Sequence, residues 1–204
     1  MKDEDLKQVI RALFEARFLK RIKRSGTTLL LGDEVSESVV EHSFYVSLWA
    51  VVFIYLEKDL DKGKLLQMCV LHDLEEVRIG DFNKVNDIYI EQKEQNKAFE
   101  DMWDGSEIGR ELIKIHLERH EGKTREAVVA GECDVLAELV TEKEYAERGV
   151  KEAEEWMEFT MQRLKTDTGR KLAKLVLDSR MSGWWEEIKN RIRKKYGVVE
   201  KKYN

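Results

Sequence analysis

The chain has 204 residues, of which 42% are hydrophobic and 38% are charged. This length and apolar content are typical of one globular domain with its own core, and they exclude a disordered chain. The 36 basic and 41 acidic side chains nearly cancel, leaving a net charge of -5, whereas a broad nucleic-acid-binding face is strongly basic. We therefore expect no nucleic-acid partner.

The cysteines and the apolar runs indicate a cytoplasmic protein. Two cysteines, Cys69 and Cys133, are too few for a disulfide framework, so we expect a reducing compartment. The N-terminal sequence MKDEDLKQ is charged and lacks the apolar region of a signal peptide. The longest uninterrupted apolar run, Leu48 to Leu56, is shorter than a membrane-spanning helix, and we expect no membrane partner.

Apolar residues recur at spacings of three and four along almost the whole chain, which is the period of α-helices. This pattern predicts an all-α fold, a helical bundle that forms a single domain over residues 1–204. Helices are predicted around residues 10–22, after 38, and at about 64–77, 87–103, 107–119, 125–146, 151–164, 169–180 and 183–195.

Two segments have local signals of their own. In SESVVEH, Ser38 and Glu41 have the spacing of a capping box, which predicts that the second helix begins there. The segment TTLLLGDEV, from Thr27, is the one piece that we predict to be extended.

Three of the predicted helices carry ionisable side chains on their apolar faces. His42 lies on the inner face of the second helix, and Asp134 lies on that of the helix at 125–146. On the third, His72 and Glu76 share one face, and Asp73 lies beside it. A lone buried histidine is usually a hydrogen-bonded core residue.

The ligand types in this set favour a metal over that simpler interpretation. Ionisable groups on three apolar faces are costly to bury unless they are paired or bound to an ion. The set supplies two nitrogen and two oxygen ligands, which suits a divalent transition metal with positions left open for water and substrate. Its members are His42, His72, Asp73 and Asp134.

The segments ESVVEHS, LHDLEEVRIGD and ECDVLAELVTEKEYAERG resemble the HD-domain superfamily, whose signature is a His, a His-Asp pair and a distant Asp. More narrowly, the chain resembles the small HD-domain 5′-nucleotidases, which hydrolyse deoxyribonucleoside monophosphates. The resemblance covers about residues 16–149, and the C-terminal helices at 150–204 carry no matching motif. It implies a metal-dependent phosphomonoester hydrolase that acts on a small-molecule nucleotide as a homodimer.

The resemblance also implies roles for individual residues. One divalent ion, manganese, cobalt or zinc, would be bound by His42, His72, Asp73 and Asp134. Glu76 corresponds to the carboxylate that handles the attacking water, and Asp81 to a carboxylate near the substrate's sugar and phosphate. Arg24 corresponds to the arginine that meets the phosphate. The family's tryptophan just after that arginine helps to exclude ribose, but here the sequence reads RSGT, so we expect only a modest preference for deoxyribose.

Several other residues have simpler interpretations. Glu75 lies off the face of His72 and Glu76, so we expect it to face solvent or a neighbouring helix. His116 and His120 have the i, i+4 spacing of a metal pair; without a third ligand nearby, we expect a surface or interface position. Cys69 is expected to be a buried structural cysteine. Four aromatic residues are expected in the core or at a subunit contact: Trp156, Phe159, Trp184 and Trp185.

Two alternatives to a 5′-nucleotidase remain open. The first is an HD enzyme for another phosphate ester: a cyclic nucleotide, a nucleoside triphosphate or guanosine tetraphosphate. Enzymes for the last usually have Glu-Asp where this chain has Glu76 and Val77, and binuclear phosphodiesterases need extra histidines, for which only His116 and His120 are available. The second is a non-catalytic scaffold that a metal stabilises; such a scaffold would not need Glu76, Asp81 or Arg24.

Overall fold

The protein, represented here by a computed structural model, is described over residues 2–31 and 36–197, and in these residues it is helical. The helices are α1 (Asp3–Ala16), α2 (Ser25–Leu31), α3 (Val39–Leu56), α4 (Lys62–Leu71), α5 (Glu76–Ile79), α6 (Gln92–Trp103), α7 (Glu107–Glu121), α8 (Arg125–Glu147), α9 (Glu152–Gln162), α10 (Asp167–Asp178) and α11 (Gly183–Tyr196). Two short 3₁₀ turns lie at Arg17–Arg21 and Asn86–Ile88. The prediction of an all-α fold is confirmed.

Helix α8 lies at the centre of the bundle, and α3, α4, α7, α9 and α10 pack around it. Its buried residues include Val129, Cys133, Leu136 and Leu139, so it is apolar on more than one face, as expected of a central helix. A second core cluster joins α1, α6 and α7 around Phe99. Both clusters contact the half-buried Ile115. Ionisable groups on α3, α4 and α8 therefore face a common interior.

The helix that we predicted at 64–77 is interrupted at the His-Asp pair. Helix α4 ends at Leu71 and α5 begins at Glu76. Between them the amide of Glu76 donates to the carbonyl of Asp73, at 3.3 Å, a three-residue spacing that winds more tightly than an α-helix. The Nδ1 atom of His72 lies 2.8 Å from the carbonyl oxygen of Cys69, which is the acceptor that an unbroken helix would use for residue 73. The continuous helix was therefore a wrong prediction.

The loop before α3 also differs from the prediction. The expected extended segment is wrong over residues 27–31, which belong to α2, and its remaining residues, 32–35, lie outside the described residues. The hydroxyl of Thr27 donates to the carbonyl of Arg24 at 2.9 Å, a local bond of the kind that starts a helical turn. The capping box is confirmed, because the Ser38 hydroxyl accepts the amide of Glu41 and the Glu41 carboxylate accepts the amide of Ser38.

Helix α10 docks on α8 through one buried carboxylate. Glu132 is 1% exposed, and its Oε1 accepts the amides of Lys165 at 2.7 Å and Thr166 at 2.5 Å. These amides belong to the N-terminal end of α10, where backbone N–H groups need acceptors. A Cβ on Gly169 would lie 2.5 Å from Glu132 Oε2, so glycine allows the close approach.

Most of the C-terminal aromatic residues lie at the surface. Phe159 and Trp184 are 69% and 68% exposed, and Trp185 is 44% exposed. A core position was therefore the wrong interpretation for these three residues. Their role at a subunit contact stays a prediction.

Helix α3 is apolar along its whole length. Its 18 residues have a mean hydropathy of 1.6, which by length and composition is enough to cross a membrane. Its inner face is buried in the bundle at Val39, His42, Val46, Ala50 and Phe53. A core helix of a bundle passes the same test of length and composition.

Candidate active site

Three ligand-type side chains converge where α3, the end of α4 and α8 meet. One ligand atom each from His42, His72 and Asp134 lies within 4.8 Å of the other two. The Nε2 atom of His42 is 3.1 Å from Asp134 Oδ1, and the two imidazole rings are 5.5 Å apart between centroids. Both histidines are at most 2% exposed.

The fourth predicted ligand lies beside this group. Asp73 Oδ2 is 2.9 Å from His72 Nε2 and 3.4 Å from Nη1 of Arg24. The tight turn after α4 places this carboxylate next to the imidazole that precedes it in the chain. The structure therefore brings together all four side chains, and their role as ligands stays a prediction.

The orientation of His72 suits a metal ligand. Its Nδ1–H donates to the carbonyl of Cys69, so in the neutral ring Nε2 carries no proton and is directed at Asp73. That Nε2 atom is buried and makes no aligned hydrogen bond among the described residues, although Asp73 Oδ2 lies 2.9 Å from it. Buried polar atoms are nearly always satisfied, so a missing partner at this point fits a bound cation. Cys69 itself is buried and free, as predicted.

The carboxylates of this group are held ionised. Burial raises the pKa of Asp134, but the hydrogen bond and charge of His42 outweigh it and hold the pKa well below its usual range. Burial likewise raises the pKa of Asp73, and the interactions with His72 and with the Arg24 guanidinium more than offset it. For His42, burial and Arg24 lower the pKa, but bonds to Asp134 and Glu37 raise it to about 9. Without a metal, His42 is thus protonated, and its positive charge lies next to the ionised carboxylate of Asp134.

The pKa of Glu76, unlike those of Asp73 and Asp134, is raised. It is 8% exposed, and its Oε2 has no hydrogen-bond partner among the described residues. Burial, followed by the charges of Asp73 and Asp81, raises the pKa of Glu76 to about 12. One carboxyl in the site is therefore kept protonated next to carboxylates that are not, an arrangement typical of acid–base chemistry.

Asp81 holds the Arg24 segment against the site. Its Oδ1 accepts from Arg24 Nη1 at 2.9 Å, and its Oδ2 accepts the amide and hydroxyl of Ser25 at 2.6 and 2.7 Å. The preceding residue, Gly80, has a φ of 83°, a conformation that glycine adopts without strain. The nearby carboxylates Asp81 and Asp73 raise the pKa of Arg24, against the effect of burial.

Two further arginines approach Asp134, and neither was predicted from the sequence. Nη2 of Arg119 is 3.5 Å from Asp134 Oδ2, and Nη2 of Arg163 is 4.0 Å from the same atom. The sequence does carry a signal for Arg119, because it lies between His116 and His120, which have the spacing of a metal pair. Arg163 follows α9 in a segment without a motif, so the sequence contained no signal for it.

Glu75, His116 and His120 lie in the interior. Glu75 is 3% exposed and His116 is 1% exposed, and the ring of His116 stacks on Phe99 at 3.9 Å between centroids. Of the two positions expected for Glu75, the neighbouring helix is correct, since it faces α7. The surface or interface position of the two histidines was wrong. Burial and nearby positive charges lower the pKa of His116 to about 3 and that of His120 to about 4.

Comparisons with known proteins agree with this architecture. The sequence profile of the HD domain matches residues 16–176. The 5′-deoxynucleotidase HDDC2 of Dictyostelium discoideum is 30% identical over 138 aligned positions, and the match covers 62% of this chain and 72% of that protein.

Solved structures show the same fold. A conserved hypothetical protein from Pyrococcus furiosus is 25% identical, with a TM-score of 0.69 over 83% of this chain and 97% of its own. A predicted metal-dependent phosphohydrolase from Magnetospirillum magnetotacticum is 20% identical, with a TM-score of 0.68 over 86% of this chain and 94% of its own. The residues that match the HD-domain profile, 16–176, include all four candidate ligands.

Proposed function

The chain belongs to the HD-domain family of metal-dependent phosphohydrolases, and from this we propose that it hydrolyses nucleoside 5′-monophosphates to a nucleoside and phosphate. The observation that carries the proposal is the convergence of His42, His72 and Asp134 beside the buried carboxyl of Glu76. The Dictyostelium relative, a 5′-deoxynucleotidase, supports the substrate class.

The metal would be held by His42, His72, Asp73 and Asp134. This set of two nitrogens and two carboxylates suits one divalent ion such as manganese, cobalt or zinc. A bound ion of this kind lowers the pKa of water toward neutrality and screens the charge of the phosphoryl group. The unsatisfied Nε2 of His72 and the ionised carboxylates of Asp73 and Asp134 support such a site.

Glu76 is the residue that we assign to proton transfer. The attacking water must lose a proton as its oxygen bonds to phosphorus, and the 5′ oxygen of the nucleoside must gain one as the P–O bond breaks. A protonated carboxyl whose pKa is set by its surroundings can give its proton to the 5′ oxygen and take one from the water. The buried position of Glu76, next to the charge of Asp73, supports this assignment.

Arginine side chains would bind the phosphate. Arg24 is bound to Asp81 and Asp73 through Nη1, and a guanidinium offers up to five donors for phosphate oxygens. Arg119 and Arg163 approach the same centre from α7 and from the end of α9. These three side chains give the site positive charge within a protein whose net charge is -5. Asp81 would hold Arg24 in place at the sugar side.

A homodimer in the cytoplasm also stays a proposal. Phe44 and Tyr55 on the outer face of α3 are 61% and 83% exposed, and Trp184 is 68% exposed. A contact between two copies would bury such side chains. Sedimentation velocity of the full chain would show a dimer, and a monomer at all concentrations would contradict this part of the proposal.

The test is phosphate release from a panel of substrates. Protein stripped of metal with a chelator would receive manganese, cobalt or zinc singly, and then ribo- and deoxyribonucleoside mono-, di- and triphosphates and cyclic nucleotides. We expect metal-dependent release from the 5′-monophosphates. Release from a triphosphate or cyclic nucleotide alone would support another HD activity instead, and no release from any of them would leave the non-catalytic scaffold.

A further inference from the structure

A second group of ligand-type side chains lies outside the site described above. One ligand atom each from Glu75, His116 and His120 lies within 4.8 Å of the other two. Glu75 Oε2 is 4.0 Å from His116 Nδ1, and Glu75 Oε1 is 3.9 Å from His120 Nε2. None of these residues belongs to the first group, and the two histidines lie one turn apart on α7.

The polar atoms of this group are buried without partners. Among the described residues, no hydrogen bond reaches Glu75 Oε2, His120 Nε2 or either ring nitrogen of His116. A buried polar atom left in this state destabilises the fold, because its hydrogen bonds to water are lost and not replaced. Four such atoms on three adjacent side chains are difficult to explain unless something else binds them.

The distances are close to those around one metal ion. Ligand atoms that lie about 2.0–2.2 Å from a tetrahedral zinc ion are about 3.3–3.6 Å apart. The separations of 3.9 and 4.0 Å are a few tenths of an ångström longer, a gap that small side-chain rotations would close. Two imidazoles and one carboxylate are also a recognised zinc ligand set, with room for a water.

The ligands come from rigid parts of the fold. The ring of His116 is nearly parallel to that of Phe99, at 11°, and Phe99 lies fully buried in a core cluster. Glu75 comes from the tight turn after α4, between Asp73 and Glu76 in the chain. An ion bound here would thus join α7 to the turn that carries two residues of the proposed active site.

We infer that Glu75, His116 and His120 form a second divalent-metal site, which takes a zinc-type ion and fastens α7 to the turn at Asp73–Glu76. The inference does not depend on the reaction that the first site performs.

Metal content tests this inference separately from the proposed function. Stripped protein would be saturated with zinc, freed of excess by gel filtration and analysed for metal and protein. We expect two ions per chain in the wild type, one in Glu75→Gln and one in Asp134→Ala, with none in the double variant. Glu121→Gln, on the exposed end of α7, is the control and should keep both ions.

Each other outcome has a distinct meaning. One ion in the wild type that Glu75→Gln keeps and Asp134→Ala loses would overturn the second site and leave the first. One ion with the reverse pattern would retain the second site and contradict the first. Anomalous diffraction at the zinc edge from wild-type crystals avoids any folding defect of the variants: we expect a peak between Glu75, His116 and His120, and a water or no density there would also overturn the inference.

Discussion

The Nδ1 atom of His72 lies 2.8 Å from the carbonyl oxygen of Cys69, one turn earlier in the chain. This contact uses the carbonyl that an unbroken α-helix would offer to Asp73. It also places the proton of His72 on Nδ1 and leaves Nε2 available as a ligand. The interruption of the helix and the orientation of the ligand therefore have one cause.

Asp134 is the residue whose loss should affect the first metal centre most. In Asp134→Ala the Nε2 of His42 loses a carboxylate at 3.1 Å, and we expect one metal equivalent and the phosphatase activity to disappear. The fall in kcat/KM should exceed the roughly 100-fold that loss of an outer partner of a metal site can cost. Elemental analysis and phosphate release measure the two effects, and full metal content in this variant would disprove the assignment.

Glu76 should separate proton transfer from metal binding. Glu76→Gln has nearly the same shape but can neither give up a proton nor take one back, so we expect unchanged metal content and a fall in kcat of about 100-fold or more. Metal analysis and steady-state kinetics on the same preparation make the comparison. A variant as active as the wild type would show that Glu76 has only a structural role.

The sugar preference depends on the segment after Arg24, where α2 begins. This segment lacks a tryptophan, and a pocket that merely tolerates a hydroxyl discriminates by roughly one to two powers of ten, so we expect AMP and dAMP to differ in kcat/KM by no more than this. Arg24→Ala should lower kcat/KM for both substrates alike, because the phosphate is common to them.

The indole of Trp156 lies against the start of α2 from another part of the chain. A Cβ on Gly26 would be 3.6 Å from the ring of Trp156, on α9. If the wild type rejects AMP several thousandfold, the modest preference is wrong, and Trp156→Ala becomes the next variant to compare. Phe159→Ala, on the exposed side of the same helix, is its control.

Glu142 should make stability depend on pH. Burial and the charge of Glu138 raise its pKa to about 8 from 4.5, so the folded state keeps this proton while the unfolded state loses it. Below pH 4.5 Glu142 is protonated in both states and does not lower the free energy of unfolding. As the pH rises from there to about 8, it lowers this free energy progressively. Glu142→Gln can still accept the hydroxyl of Thr160, which lies at 2.8 Å in the wild type.

The expected result is a gain in unfolding free energy at pH 8, on the order of 2–4 kcal/mol, with little change at pH 5. Calorimetric melting at both values would measure it. Glu158→Gln, an exposed change on α9, should show no such difference. An equal effect of Glu142→Gln at both pH values would contradict the raised pKa.

Two glycine-to-alanine changes should act in opposite directions. A Cβ on Gly109 would lie 1.8 Å from the carbonyl oxygen of Trp103, so Gly109→Ala must shift the backbone and should cost about 1–3 kcal/mol or more. A Cβ on Gly131, in α8, meets nothing within 4 Å, and alanine there should stabilise the helix by up to about 1 kcal/mol. Chemical denaturation compares the pair, and equal effects would rule out the proposed clash.

The sequence by itself determined the helical fold and the kinds of side chain, imidazole and carboxylate, that form the first site. Helical periodicity and the capping box of Ser38 and Glu41 are visible because their interactions join residues only three or four positions apart. His42, His72 and Asp134 could be proposed together because each is an ionisable residue on the apolar face of its own helix, which is costly without a partner.

The tertiary structure alone decided which distant side chains meet. Arg163 reaches Asp134, and Glu75 reaches His116 and His120, only because α9 and α7 pack against α8 and the turn after α4. The sequence also did not reveal the break in the helix at His72. The ring of His72 takes the carbonyl that the backbone of the helix would use, and this leaves the spacing of apolar residues unchanged. The spacing of apolar residues shows which segments form helices and which of their faces are buried. It does not show how the helices are placed relative to one another, because packing of the whole core determines that.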